Sequence, residues 1–152
     1  MAVLPTGEVV ANVDRARAFA FVSEPRRVAG CIPGCGDLRE LGPNRYAAVL
    51  TANVAFISVK FNVIVEVVRI TPPDAIEAVI SGDAAGNPSR VTATAGLDLV
   101  EQGDSAPLIR YRTEMALTGR LGGLGEPVFR STSTRLAAEF AQNLKCAMEA
   151  VD

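Results

Sequence analysis

From residue 37 to residue 118 the chain alternates apolar and polar positions in runs broken by turn residues. In 45–56, Tyr46, Ala48, Leu50, Ala52, Val54 and Phe56 share one parity, with Thr51 and Asn53 on the other. In 59–70, Val59, Phe61, Val63, Val65 and Val67 alternate with Lys60, Asn62, Ile64 and Glu66. In 89–100, Val91, Ala93, Ala95, Leu97 and Leu99 oppose Arg90, Thr92, Thr94 and Asp98. In 108–118, Ile109, Tyr111, Thr113, Met115 and Leu117 oppose Arg110, Arg112 and Glu114. Successive side chains of a strand point to opposite faces, so these runs predict antiparallel strands with one face on a core and one in water. Shorter strands are predicted over 37–41 and 75–81. Gly42-Pro43-Asn44, Pro72-Pro73-Asp74, Gly82-Asp83 and Gly103-Asp104 supply the turns.

The period differs at both ends. Residues 7–12 are short and extended. Asp14 then stands as the N-cap of a helix over RARAFAFV, and Pro25 opens a second short helix over 24–29. From about 126 to 150, Phe129, Leu136, Phe140, Leu144, Ala147 and Met148 fall on one helical stripe, with Pro127 in the first turn. The order is one strand, two short helices, about six antiparallel strands and one long helix. A single apolar stripe must cover a single apolar sheet face. This predicts an α+β helix-grip fold: a curved antiparallel sheet of six to seven strands wrapped around the C-terminal helix. The architecture tends to leave a cavity between sheet and helix. One domain over residues 1–152 suffices, with no repeat or second unit.

Composition narrows the chemistry. Aromatics are 5% and Trp is absent, so Val, Ala and Leu must fill the core. The net charge of −2 gives no basic stripe for nucleic acid. No apolar run reaches the length of a membrane span, and the N-terminus lacks the positive region and long apolar core of a signal peptide. The chain has no His, which removes Ser-His and Cys-His catalysis and imidazole ligation. Acid–base chemistry would fall to Asp, Glu, Tyr, Arg, Lys or Cys.

Three motifs need weighing. Cys31 and Cys35 flank Ile-Pro-Gly in "CIPGC", and the third cysteine, Cys146, is far along the chain. A zinc site wants four ligands and a redox pair usually has two residues between its cysteines. The simpler reading is a turn at Pro33-Gly34 in which the cysteines act as small hydrophobes. "GRLGGLG" at 119–125 matches no phosphate-binding pattern and reads as a hinge before the last helix. Arg110 and Arg112 lie on an outward strand face, which is solvated or docks a partner.

Together "CIPGC" after two short helices, "GRLGGLG" before the last helix and "STSTRLAAEFAQNL" within it resemble the carbon monoxide dehydrogenase G-subunit family of START-related helix-grip proteins. The likeness runs from residue 7 to about 148. It implies a non-enzymatic accessory protein that holds a hydrophobic ligand, quinone- or lipid-like, and serves a carbon monoxide dehydrogenase-type molybdenum enzyme. Many members carry a further C-terminal segment that reaches the membrane. This sequence stops at Asp152 without one, so the expectation is a cytoplasmic protein, at most peripheral to the inner membrane face. No cofactor, metal or catalytic residue is expected.

Candidate cavity residues are Phe19, Ile32, Pro33, Phe56 and Phe61 from the first half. Tyr111, Met115, Phe129, Leu136 and Phe140 complete the set from the second half. The cavity is expected to open near "CIPGC" and the hinge. Two rivals remain: a cyclase- or hydratase-like enzyme of the same superfamily, which needs an acid or base inside the cavity, and an assembly factor with a collapsed core and no ligand.

Overall fold

The alternating segments pair into one antiparallel sheet. A computed structural model describes residues 2–54, 57–86, 88–103, 105–119 and 125–150. In chain order the elements are β1 (Ala2–Val3), β2 (Thr6–Val10), α1 (Arg15–Val22), α2 (Pro25–Ala29), β3 (Cys35–Gly42), β4 (Arg45–Val54), β5 (Ile57–Thr71), β6 (Ala75–Ala84), β7 (Ser89–Gln102), β8 (Ser105–Gly119) and α3 (Glu126–Ala150). Strands β3 to β8 are neighbours in sequence order, and β1 and β2 both pair with β8. Because Leu4 and Pro5 separate β1 from β2, the two together act as one broken edge strand of a seven-stranded sheet. A two-residue strand is too short to show alternation, so β1 leaves no pattern in the sequence.

The expected parities hold through the ladder. Cross-strand pairs Leu50↔Phe61, Phe61↔Ala84, Ala78↔Ala95, Ala93↔Met115 and Ala95↔Thr113 put the apolar set on one face. One expected turn is not a turn. Gly82 and Asp83 lie inside β6, paired with Val63 and Asn62. A Cβ on Gly82 would press on the Asn62 carbonyl and the Val63 backbone, so glycine is there for close strand approach.

The helix signals are confirmed by their caps. The Asp14 side chain accepts from the Arg17 N–H at 2.8 Å, and Pro25 occupies the first turn of α2. At 25 residues α3 is about 37 Å long. Its closest backbone approaches are to β1 and β2 on one flank of the sheet and to β4 on the other. The sheet curves around the helix, and side chains of β5 to β8 pack with those of α3 in the buried core. Among the described residues no helix is long and apolar enough to cross a membrane.

Candidate functional site

The core beneath α3 is not continuous. One buried cluster joins Val3, Ala48, Val59, Phe61, Val63, Ala84, Leu117 and Phe129. A second joins Ala11, Ala18, Phe21, Val22, Cys31, Leu99, Ile109, Leu144 and Met148. Between them runs a row across the middle strands, Val67–Ala78–Ala95–Thr113, set by the register of β5 to β8. These four residues belong to neither cluster and all remain half-buried. Leu136 and Ala137, from the middle of α3, are likewise half-buried and in neither cluster. A packed core would seal such positions. Here the row is built of Val, Ala, Ala and Thr, none of them fully covered.

The polarity of this seam is also defined. Among the described residues the inner positions of β5 to β8 carry no charged side chain; their polar groups are Ser89, Tyr111 and Thr113. On the sheet-facing stripe of α3 the polar group is Ser133, 3% exposed. Tyr111 lies over Gly7, its cross-strand partner, where a Cβ would overlap the ring. Gly7 thus makes room for the ring on β2.

The ten residues expected from the sequence separate into groups. Phe61, Phe129 and Met115 meet in the first cluster, and Phe19 and Phe140 in the second. Ile32, Pro33, Tyr111 and Leu136 are half-buried and in neither cluster. Phe56 and hinge residues 120–124 lie outside the described residues. Ser133 was missed. Its signal was a serine at the stripe position four after Phe129 and three before Leu136, where an apolar residue would continue the pattern.

"CIPGC" forms a turn. The Cys35 N–H donates to the Ile32 carbonyl at 3.2 Å, and Gly34 has φ 78°. Pro followed by a residue with positive φ is a type II turn. The Thr51 N–H donates to the Gly34 carbonyl at 2.9 Å, stitching the turn to β4. A Cβ on Gly34 would collide with the Thr51 carbonyl. Gly34→Ala is therefore expected to cost about 1–3 kcal/mol from backbone strain alone. Gly36→Ala, with open space around it, should stay within about 0.5 kcal/mol. Urea unfolding of both variants checks this, and equal costs would contradict the turn assignment.

Burial disfavours ionisation of the two thiols in the motif. Cys31 is buried and its thiol donates to the Arg27 carbonyl at 3.4 Å. Burial pushes the Cys31 and Cys35 thiols up from their ordinary range. No group of three or more Cys, Asp or Glu among the described residues could hold a metal. At pH 8 a disulfide reagent should label exposed Cys146 first, with Cys31 and Cys35 lagging because their thiolates are scarce. Equal rates for all three would overturn that assignment.

Polar bonds fasten α3 to the rim. Asn143 Nδ2 donates to the Cys31 carbonyl at 3.0 Å, and Arg135 Nη2 to the Asn53 carbonyl at 3.3 Å. Glu149 Oε2 accepts from Lys145 Nζ at 2.6 Å and from the Asn12 N–H at 2.8 Å; these bonds hold its carboxyl below the usual range. The outer sheet face pairs its own charges: Arg110 with Glu8, and Arg112 with Asp98 and Glu77. The Arg112 guanidinium lies over Gly96, its partner on β7. Two surface hollows lie away from the seam. One is on the solvent side of α3 around Glu126, Arg130 and Thr134, the other beside Asp14, Glu101 and Pro107.

The helix-grip geometry and the motifs can now be set against known proteins. The sequence model describing the G subunit of carbon monoxide dehydrogenase (CoxG) matches residues 7–149. The chain belongs to the CoxG family. No curated protein matches this CoxG family member in sequence. A conserved protein from Geobacillus kaustophilus has a similar structure, with TM-score 0.85 and 21% identity over 96% of this chain and 95% of that one. A protein from Rhizobium leguminosarum matches with TM-score 0.70 and 11% identity over 99% and 97% of the two chains. The Zhui aromatase/cyclase from Streptomyces sp. R1128 matches with TM-score 0.70 and 9% identity over 98% and 94%. At these identities the likenesses show the shared helix-grip fold.

Proposed function

We propose that this chain is a non-enzymatic carrier, a single helix-grip domain holding one small, uncharged, apolar molecule between α3 and the middle strands. The observation that carries this is the half-buried row Val67–Ala78–Ala95–Thr113, which lies between two buried clusters and, like Leu136 and Ala137 of α3, belongs to neither. Small residues in a row that is not fully covered leave volume, and apolar lining with a few hydroxyls suits a quinone- or lipid-like ligand. The absence of charged groups on the inner face of β5 to β8 favours a neutral molecule, since a charge there would go unpaired. Family membership supports a role as accessory to a carbon monoxide dehydrogenase-type molybdenum enzyme, on the cytoplasmic side and in at most peripheral contact with the membrane.

The cyclase reading draws on the aromatase/cyclase among the similar structures. Such catalysis needs a positioned acid or base, and the described inner positions of β5 to β8 offer hydroxyls alone, those of Ser89, Tyr111 and Thr113. The test is calorimetric titration with short-chain quinones and fatty acids, alongside assays of turnover. Binding below millimolar without turnover supports the carrier. Turnover lost on replacing an Asp, Glu or Tyr, with no apolar ligand bound, overturns it.

A further inference from the structure

α3 places on the inner seam a polar group that the fold does not use. Ser133 is 3% exposed, on the face of α3 that carries Phe129, Leu136 and Leu144. Its Oγ has no hydrogen-bond partner among the described residues, although a helical serine can donate to the carbonyl four residues back, as Ser23 does to Phe19 at 2.8 Å. Among the described residues no side-chain polar atom is both sealed and unpaired. The Ser133 hydroxyl therefore borders accessible space despite the burial of its residue.

The position of that space follows from the two clusters. Phe129 shares one with Leu117, and Leu144 the other with Ile109, so α3 runs antiparallel to β8. Four residues along α3 from Phe129 is about 6 Å, which on β8 is about two residues from Leu117. Ser133 thus projects at the level of Met115, between the first cluster and Thr113. An unpartnered hydroxyl in an apolar setting is costly unless something bonds to it.

We propose that Ser133 Oγ is a polar contact of the binding site, donating a hydrogen bond to a carbonyl-type acceptor on an otherwise apolar, uncharged ligand. This rests on the carrier reading above and adds the ligand's orientation, with its acceptor toward the Met115 end and its apolar body along Ala95, Ala78 and Leu136. The site selects molecules with an acceptor over hydrocarbons of the same shape.

The test pairs two probes of similar size, menadione with two carbonyls and 2-methylnaphthalene with none, titrated into wild type and Ser133→Ala. Ser133→Ala should weaken menadione about two- to twelvefold, the range for one neutral hydrogen bond, and leave 2-methylnaphthalene unchanged. The unliganded variant should melt no lower than wild type, because alanine removes an unpartnered hydroxyl and favours helix. Equal effects on both probes, or none on either, overturn the Ser133 contact while leaving the carrier standing. Failure of both probes to bind wild type overturns the carrier reading and the contact with it.

Discussion

Ala95→Phe should abolish uptake of an apolar ligand while the protein stays folded. Ala95 sits at the centre of the seam, between Ala78 and Thr113, with its side chain toward α3. A benzyl group there would occupy the space assigned to the ligand. The stability of the variant is as informative as its binding. In a close-packed core the added ring forces side chains off their rotamers and costs about 1–3 kcal/mol. In an open seam it buries apolar area without displacing neighbours, so the urea midpoint should hold or rise. Lost binding with a retained midpoint is the expected pair of results. A large drop in the midpoint would mean that the row is already packed.

Leu144→Ala and Leu136→Ala should differ sharply, although both truncate a leucine on the same face of α3. Leu144 is 0% exposed, in the cluster with Ile109 and Met148. Its loss leaves a void that the neighbours fill only in part, costing about 2–5 kcal/mol. Leu136 is half-buried and in neither cluster, so fewer contacts vanish, and the cost should fall below about 2 kcal/mol. Urea denaturation with unchanged m-values compares them. Equal losses would favour the collapsed core of an assembly factor.

These two residues also mark how far the sequence could be read. The period-two runs placed the inward faces of β4, β5, β7 and β8, because a strand with one wet face writes its orientation into alternation. Asp14, Pro25 and Pro127 announced the helices by local chemistry, which needs no knowledge of distant partners. Gly82 misled because glycine serves both turns and close strand approach, and only the pairing with β5 decides between them. The candidate site was harder. That Phe61, Met115 and Phe129 gather at one end, while Phe19 and Phe140 gather at the other, depends on how α3 lies across the sheet. Local pattern does not carry that geometry. Leu136 and Leu144 look alike on the stripe, and only tertiary packing makes one a seam residue and the other a core residue.

The carrier account is tested most directly by the mass of the folded protein sprayed under native conditions after incubation with decylubiquinone, a short-chain quinone. The account predicts a one-to-one complex for wild type that is missing for Ala95→Phe. A wild-type spectrum showing only the bare chain, or an adduct of equal intensity in both proteins, would contradict a binding site between α3 and the middle strands.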